Sequence, residues 1–163
     1  MKLYPIFIFM LFSGIAASAQ LGSHAGSYKK WLKKEVEIQK EASFFNGHKL
    51  GASMTIKEDV EIDYFLYVYE KGNTSVVLLV TKIKDAMSYI IQDIIEIKNL
   101  RSIDNIQTGS CSINDEYDAR IVVLEKNIKG KPVNTKAWRA DIDRLHVKSI
   151  TARGINCLVE GAD

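Results

Sequence analysis

The sequence predicts a β-rich α+β domain, with an N-terminal helix packed on an antiparallel sheet or on a partly open barrel. Three observations carry this expectation. Apolar residues alternate at period two in short runs from Leu50 to the C-terminus. Those runs are bounded by Gly, Asn and Asp at spacings that suit tight turns. A single stretch, opening at Ser27, has helical spacing instead.

The first nineteen residues read as a secretory signal: Lys2, an apolar run opening with Ile6 to Leu11, and Ala17-Ser18-Ala19 as the cleavage site. Pro5 and Gly14 weaken a long helix there, and about a dozen apolar residues fall short of the roughly twenty of a membrane span. The expected organisation is therefore a signal peptide over residues 1–19, a flexible leader over 20–26 and one β-rich domain over 27–163. Only Lys2 is charged in the signal, which leaves 21 basic against 20 acidic residues. That balance makes no electrostatic case for nucleic acid or an anionic membrane. Lys29-Lys30 and Lys33-Lys34 read as the wet face of a helix.

On that helix Tyr28, Trp31, Leu32, Val36, Ile38 and Ala42 share one side. Residues 36–45 also fit a strand, because Val36, Ile38, Ala42 and Phe44 alternate and Asn46-Gly47 is a hairpin turn signal. A two-residue turn there sets Ser43 beside Leu50 and Glu41 beside Ala52, the wrong face; the helix is favoured. The next hairpin is clearer. A Gly72-Asn73 turn pairs Tyr69 with Val76, Tyr67 with Leu78 and Phe65 with Val80, and on the other face Val68 with Val77 and Leu66 with Leu79. Apolar residues on both faces indicate central strands. Asn73-Thr74-Ser75 matches a glycosylation acceptor, a frequent chance match. Further strands are expected over Tyr89 to Ile97, Ala119 to Glu125, Trp138 to Ile142, a run restarting at Leu145 and Val147, and Ile155 to Val159.

Cys111 and Cys157 either pair or both stay free. An exported chain favours the disulfide, which would close a loop of about 46 residues and stabilise by roughly 4 kcal/mol at most. Catalytic signatures are absent: there is no G-x-S-x-G, and Ser53 and Ser110 lie in ordinary segments. His24, His48 and His146 are widely spaced and fit no zinc pattern. Asp115, Glu116 and Asp118 form an acidic turn without the spacing of a calcium loop, and Asp141 and Asp143 would share a strand face. Asp93 interrupts the Tyr89, Ile91, Ile95, Ile97 face, so a buried carboxylate there needs a partner, for which an Arg or Lys is expected. Tyr64, Phe65, Tyr67, Tyr69, Trp31 and Trp138 are expected mainly in the core, with an exposed binding surface as the alternative.

Gly109-Ser110-Cys111, the strand Tyr117-Asp118-Ala119-Arg120-Ile121-Val122-Val123-Leu124, Ala137-Trp138-Arg139 and the ending Gly154-Ile155-Asn156-Cys157 form a set, with Tyr89 to Ile97 ahead of it. Together they resemble a family of small, uncharacterised exported proteins of Gram-negative bacteria, over roughly residues 89–160. Asp141-Ile142-Asp143-Arg144 stands where that family has a Gly-containing turn. The resemblance implies export and the cysteine pair, and brings no activity with it.

The expectation is thus a periplasmic or extracellular binding or inhibitor-type module that is not an enzyme, with a protein or envelope component as partner. It takes no cofactor, metal or nucleic acid and has no membrane span after signal cleavage. The alternative is a small carboxylate-dependent hydrolase of the cell envelope built on Asp115, Asp118 or Asp141. A deep polar cleft holding two of those carboxylates would favour the hydrolase; a flat or aromatic patch would favour binding.

Overall fold

The computed structural model describes residues 26–36, 47–84, 86 and 88–158. The expected signal peptide, the leader up to residue 25, His24, and Ile38, Ala42, Phe44 and Asn46 of the ambiguous segment lie outside them.

The first sheet is built outward from the hairpin of β3 (Ile62–Lys71) and β4 (Thr74–Ile83). Gly72 takes the positive φ (+57°) that this two-residue turn needs at its first position. The register is the one the sequence predicts, from Phe65 opposite Val80 to Tyr69 opposite Val76, with Leu66 opposite Leu79 and Val68 opposite Val77. β2 (Lys49–Lys57) adds to one side; β5 (Tyr89–Ile97) and then the short β1 (Glu35–Val36) add to the other, giving the antiparallel order β1-β5-β4-β3-β2. The sheet is curled, and both its faces are apolar. Tyr67, Tyr69, Val76, Leu78, Val80 and Ile94 share one side, while Leu66, Val68, Val77, Leu79, Ile95 and Ile97 share the other.

β5 does not keep one phase. Leu79 opposes Asp93 and Val80 opposes Ile91, so Gln92 is an extra, bulged residue. The bulge sends Tyr89 and Ile91 to one face and Ile95 and Ile97 to the opposite one. The sequence-level grouping of these four on a single face is therefore corrected.

The N-terminal helix is also corrected. Over the described residues this stretch is a six-residue 3-10 helix, Gly26–Trp31, followed by β1. Lys33, at φ +59°, turns the chain into the edge of β5, where its N–H donates to Ile91 O at 2.7 Å and Ile91 N–H donates back to Lys34 O at 3.1 Å. Tyr28 and Trp31 are three apart, which suits a 3-10 turn as well as an α-helix. They still pack on the sheet with Leu32, so the apolar set was legible although its geometry was not.

The second sheet has the order β11-β10-β9-β6, from β6 (Asn105–Thr108), β9 (Ile121–Ile128), β10 (Lys131–Asp141) and β11 (His146–Ile150). β9 starts two residues later than Ala119 and runs past Glu125 into a tight hairpin with β10. Lys129 (φ +54°) and Gly130 (φ +80°) form that turn, which the sequence reading missed. Asp141 and His146 bracket the next turn; Asp141 Oδ1 accepts the Arg144 N–H at 3.1 Å and Leu145 takes φ +52°, so no glycine is required. This sheet packs Ile106, Val122, Leu124, Trp138, Ala140 and Val147 against the first. Its other face, with Ile121, Val123 and Ala137, carries a small third sheet of order β12-β7-β8. Its strands are β7 (Cys111–Ile113), β8 (Glu116–Tyr117) and β12 (Ile155–Cys157), which stops short of the expected Val159. Cys111 and Cys157 are direct cross-strand partners with Cα atoms 4.0 Å apart and are joined as a disulfide. Among the described residues no helix is long and apolar enough to cross a membrane.

Candidate binding groove

β2 and β6 are the outer strands of the first and second sheets, and they line opposite walls of one groove. Among the described residues neither has a second strand neighbour. Ala52, Ser53 and Met54 form one wall and Asn105 to Thr108 the other, with Gly109, Ser110 and Leu158 at the end, around a volume of about 400 Å³. Each wall offers outward N–H and C=O groups, the natural template for an added extended chain.

Local sequence shapes both walls. β2 is bulged at Gly51 and again at Ile56, so its regular part is Ala52 to Thr55, the segment that faces the groove. Lys49 and Lys57 guard its ends. Gly109 has φ +80°, a conformation that favours glycine, and a Cβ built there would lie 2.4 Å from Met54 Cε and displace that side chain. Gln107 Nε2 donates to Glu125 Oε2 at 2.9 Å, while its Oε1 is buried with no hydrogen-bond partner. The disulfide anchors the far end, where Leu158 N–H donates to Ser110 O at 3.0 Å and the Leu158 side chain is 79% exposed. Ser53 and Ser110, ordinary by motif, are thus brought together, and Met54 and Gln107 join them. No local signal marks these residues, because they come from three distant segments.

The acidic candidates assemble differently. Asn114 (φ +51°) and Asp115 (φ +67°) are the two turn residues between β7 and β8, with Ile113 opposite Glu116. Asp118 sits in a separate depression of about 220 Å³ with Glu116, Tyr117, Arg120 and Arg139. Its Oδ1 accepts Arg120 Nε at 2.7 Å and its Oδ2 lies 2.6 Å from an Arg139 guanidinium nitrogen. Burial alone pushes the Asp118 carboxyl up, but the hydrogen bonds from Arg120 and the charge of both guanidiniums outweigh it and hold the group below the ordinary carboxylate range. Asp141 is lowered as well, by the Arg144 N–H and then by Lys148 at 3.3 Å. Guanidiniums thus engage both Asp118 oxygens, and its depression is lined by neither Asp115 nor Asp141. Among the described residues no three His, Cys, Asp or Glu side chains converge as metal ligands would.

The other candidates are structural. His48 Nε2 and the Tyr28 hydroxyl are 3.0 Å apart. His146 sits half-buried at the start of β11. Tyr67, Tyr69 and Trp138 are buried, and Phe65 packs edge-on to Tyr89 with centroids 5.7 Å apart. Tyr64 lies beneath Lys57, and Trp31 is flanked by Lys30 and Lys34. Asp93 is buried and accepts backbone N–H groups from Ile94 at 2.8 Å and Val147 at 2.7 Å.

Neither a protein-family model, nor a curated protein, nor a solved structure matches the chain.

Proposed function

We propose that this protein is an exported, periplasmic or extracellular binding module, not an enzyme, that takes an extended segment of a protein partner into the groove between β2 and β6. The single observation that carries the reading is the placement of two strand edges, neither with a second strand neighbour among the described residues, on opposite walls of one groove, with a buried, unsatisfied acceptor on Gln107 beside them. Main-chain hydrogen bonds to such edges supply affinity, and the side-chain pockets between them supply selectivity. Export is supported by the signal-like N-terminus, by the resemblance of residues 89–160 to exported Gram-negative proteins and by the disulfide, which persists in oxidising compartments. Asp118 shares its depression with neither Asp115 nor Asp141, and both its oxygens are engaged by guanidiniums, which favours binding over the hydrolase alternative.

The test is affinity capture from envelope extract with the oxidised protein and with a Ser53→Arg variant, whose long side chain fills the groove from an exposed position. A discrete partner retained by the parent and lost by the variant, with unchanged melting, supports the reading. Equal capture by both, or release of a small product from envelope polymers that Asp118→Asn abolishes, overturns it.

A further inference from the structure

The β9–β10 hairpin extends beyond its sheet. Pairing of β6 with β9 stops at Asn105 opposite Glu125, and pairing of β11 with β10 starts only at Ala137 opposite Ile150. Residues 126–133 form a two-stranded overhang in which none is buried. The near balance of charge over the whole chain conceals what this overhang carries: Lys126, Lys129 and Lys131, and no acidic residue.

The register sorts these side chains by face. Lys126 opposes Val133 and Ile128 opposes Lys131, and directly opposed residues project to the same side of a ribbon. One face therefore presents an alternating square of two lysines and two aliphatic residues, with Ile128 46% and Val133 41% exposed. Lys129 stands at the tip in the turn. The opposite face is engaged with the protein, since Asn134 Nδ2 donates to Ile155 O at 2.9 Å. Arg101 braces the overhang by donating to Asn127 O at 3.0 Å.

Lysines at a strand overhang can serve only to prevent edge pairing. That role leaves Ile128 and Val133, exposed on the lysine face, without a use. Both are accounted for by a surface that is anionic outside and hydrocarbon just beneath. We infer that this hairpin docks the protein peripherally on an anionic lipid bilayer, with Ile128 and Val133 at the acyl boundary and the lysine amines reaching the headgroup phosphates. A soluble acidic polymer or an acidic protein matches the lysines but not the aliphatic pair. The inference stands independently of the groove.

Co-sedimentation with phosphatidylcholine vesicles, with and without phosphatidylglycerol, tests it. The folded, oxidised protein should bind only the anionic vesicles, and more weakly as salt rises. Changing Lys126, Lys129 and Lys131 together to Gln should weaken binding by about 100-fold, at roughly fivefold per lysine. The pair Ile128→Ser and Val133→Ser should weaken it by about tenfold even at low salt, while Lys29→Gln with Lys30→Gln should leave it unchanged. Melting curves confirm that each variant is folded. No binding to anionic vesicles overturns the inference. So does binding that ignores the hairpin variants, or that responds to the lysines alone, which would assign the patch to a purely anionic partner.

Discussion

The carboxylate of Asp93 accepts the backbone N–H of Val147 at 2.7 Å, and so ties β5 of the first sheet to β11 of the second. Its other oxygen accepts the N–H of Ile94 at 2.8 Å, just past the bulge at Gln92. One side chain thus satisfies two backbone donors inside a largely apolar interface. Asp93→Ala leaves both without an acceptor and is expected to destabilise by about 1–3 kcal/mol, with Asp93→Asn intermediate because the amide offers one acceptor oxygen. Urea unfolding of the two variants measures this; equal stability of Asp93→Ala and parent would remove Asp93 as the clamp.

The central hairpin gives a prediction about packing. Leu66 and Leu78 are fully buried on opposite faces of the first sheet. Alanine at either position should cost about 2–5 kcal/mol, as emptying a buried leucine site does. Losses below about 1 kcal/mol at both positions would mean that neither face is a packed core.

Acid sensitivity should trace in part to Asp118. Its carboxyl titrates lower in the folded protein than unfolded, so its contribution is complete above the unfolded value of about 3.9. The contribution is lost as pH falls through the lower, folded value. Asp118→Asn should cost about 1–3 kcal/mol at neutral pH, since Arg120 and Arg139 lose a charged acceptor, and should flatten stability against pH below about pH 4. An acid limb identical in parent and variant would contradict the assignment.

The disulfide prediction concerns stability alone. Changing Cys111 and Cys157 together to serine should lower the melting temperature, with a loss of about 4 kcal/mol as the ceiling for a loop of this length. Partner capture through the groove should persist at temperatures where the variant stays folded. Loss of capture in a fully folded variant would show that the bridge itself takes part in binding.

Legibility in the sequence followed the locality of each feature. The β3–β4 register could be read because Gly72-Asn73 fixes it and every opposed pair from Phe65–Val80 to Tyr69–Val76 is apolar. β5 misled because a bulge changes phase without a glycine to announce it; the only trace is Asp93 where an apolar residue belongs. The Lys129-Gly130 turn went unread because the strands it joins are polar near the tip, where the hairpin leaves the core. The disulfide was visible as a pair of residue types. The groove was not, because Ser53, Gln107 and Leu158 meet only after two sheets have closed.

The first sheet is a meander from β2 to β5, each strand pairing with the next, whereas the second must wait for β9 to return beside β6 across the β7–β8 excursion. Short loops close at lower entropic cost and faster than long ones. The order of assembly follows: β3 and β4 zip first, and the meander then stands with Leu66, Val68, Val77 and Leu79 bare until Trp138 and its neighbours arrive. Pulse-labelled hydrogen exchange should find amides of the β3–β4 hairpin protected before those of β9 and β10. During that interval the nascent chain is at its stickiest, and crowding or slow synthesis of the last sixty or so residues should drive it to aggregate.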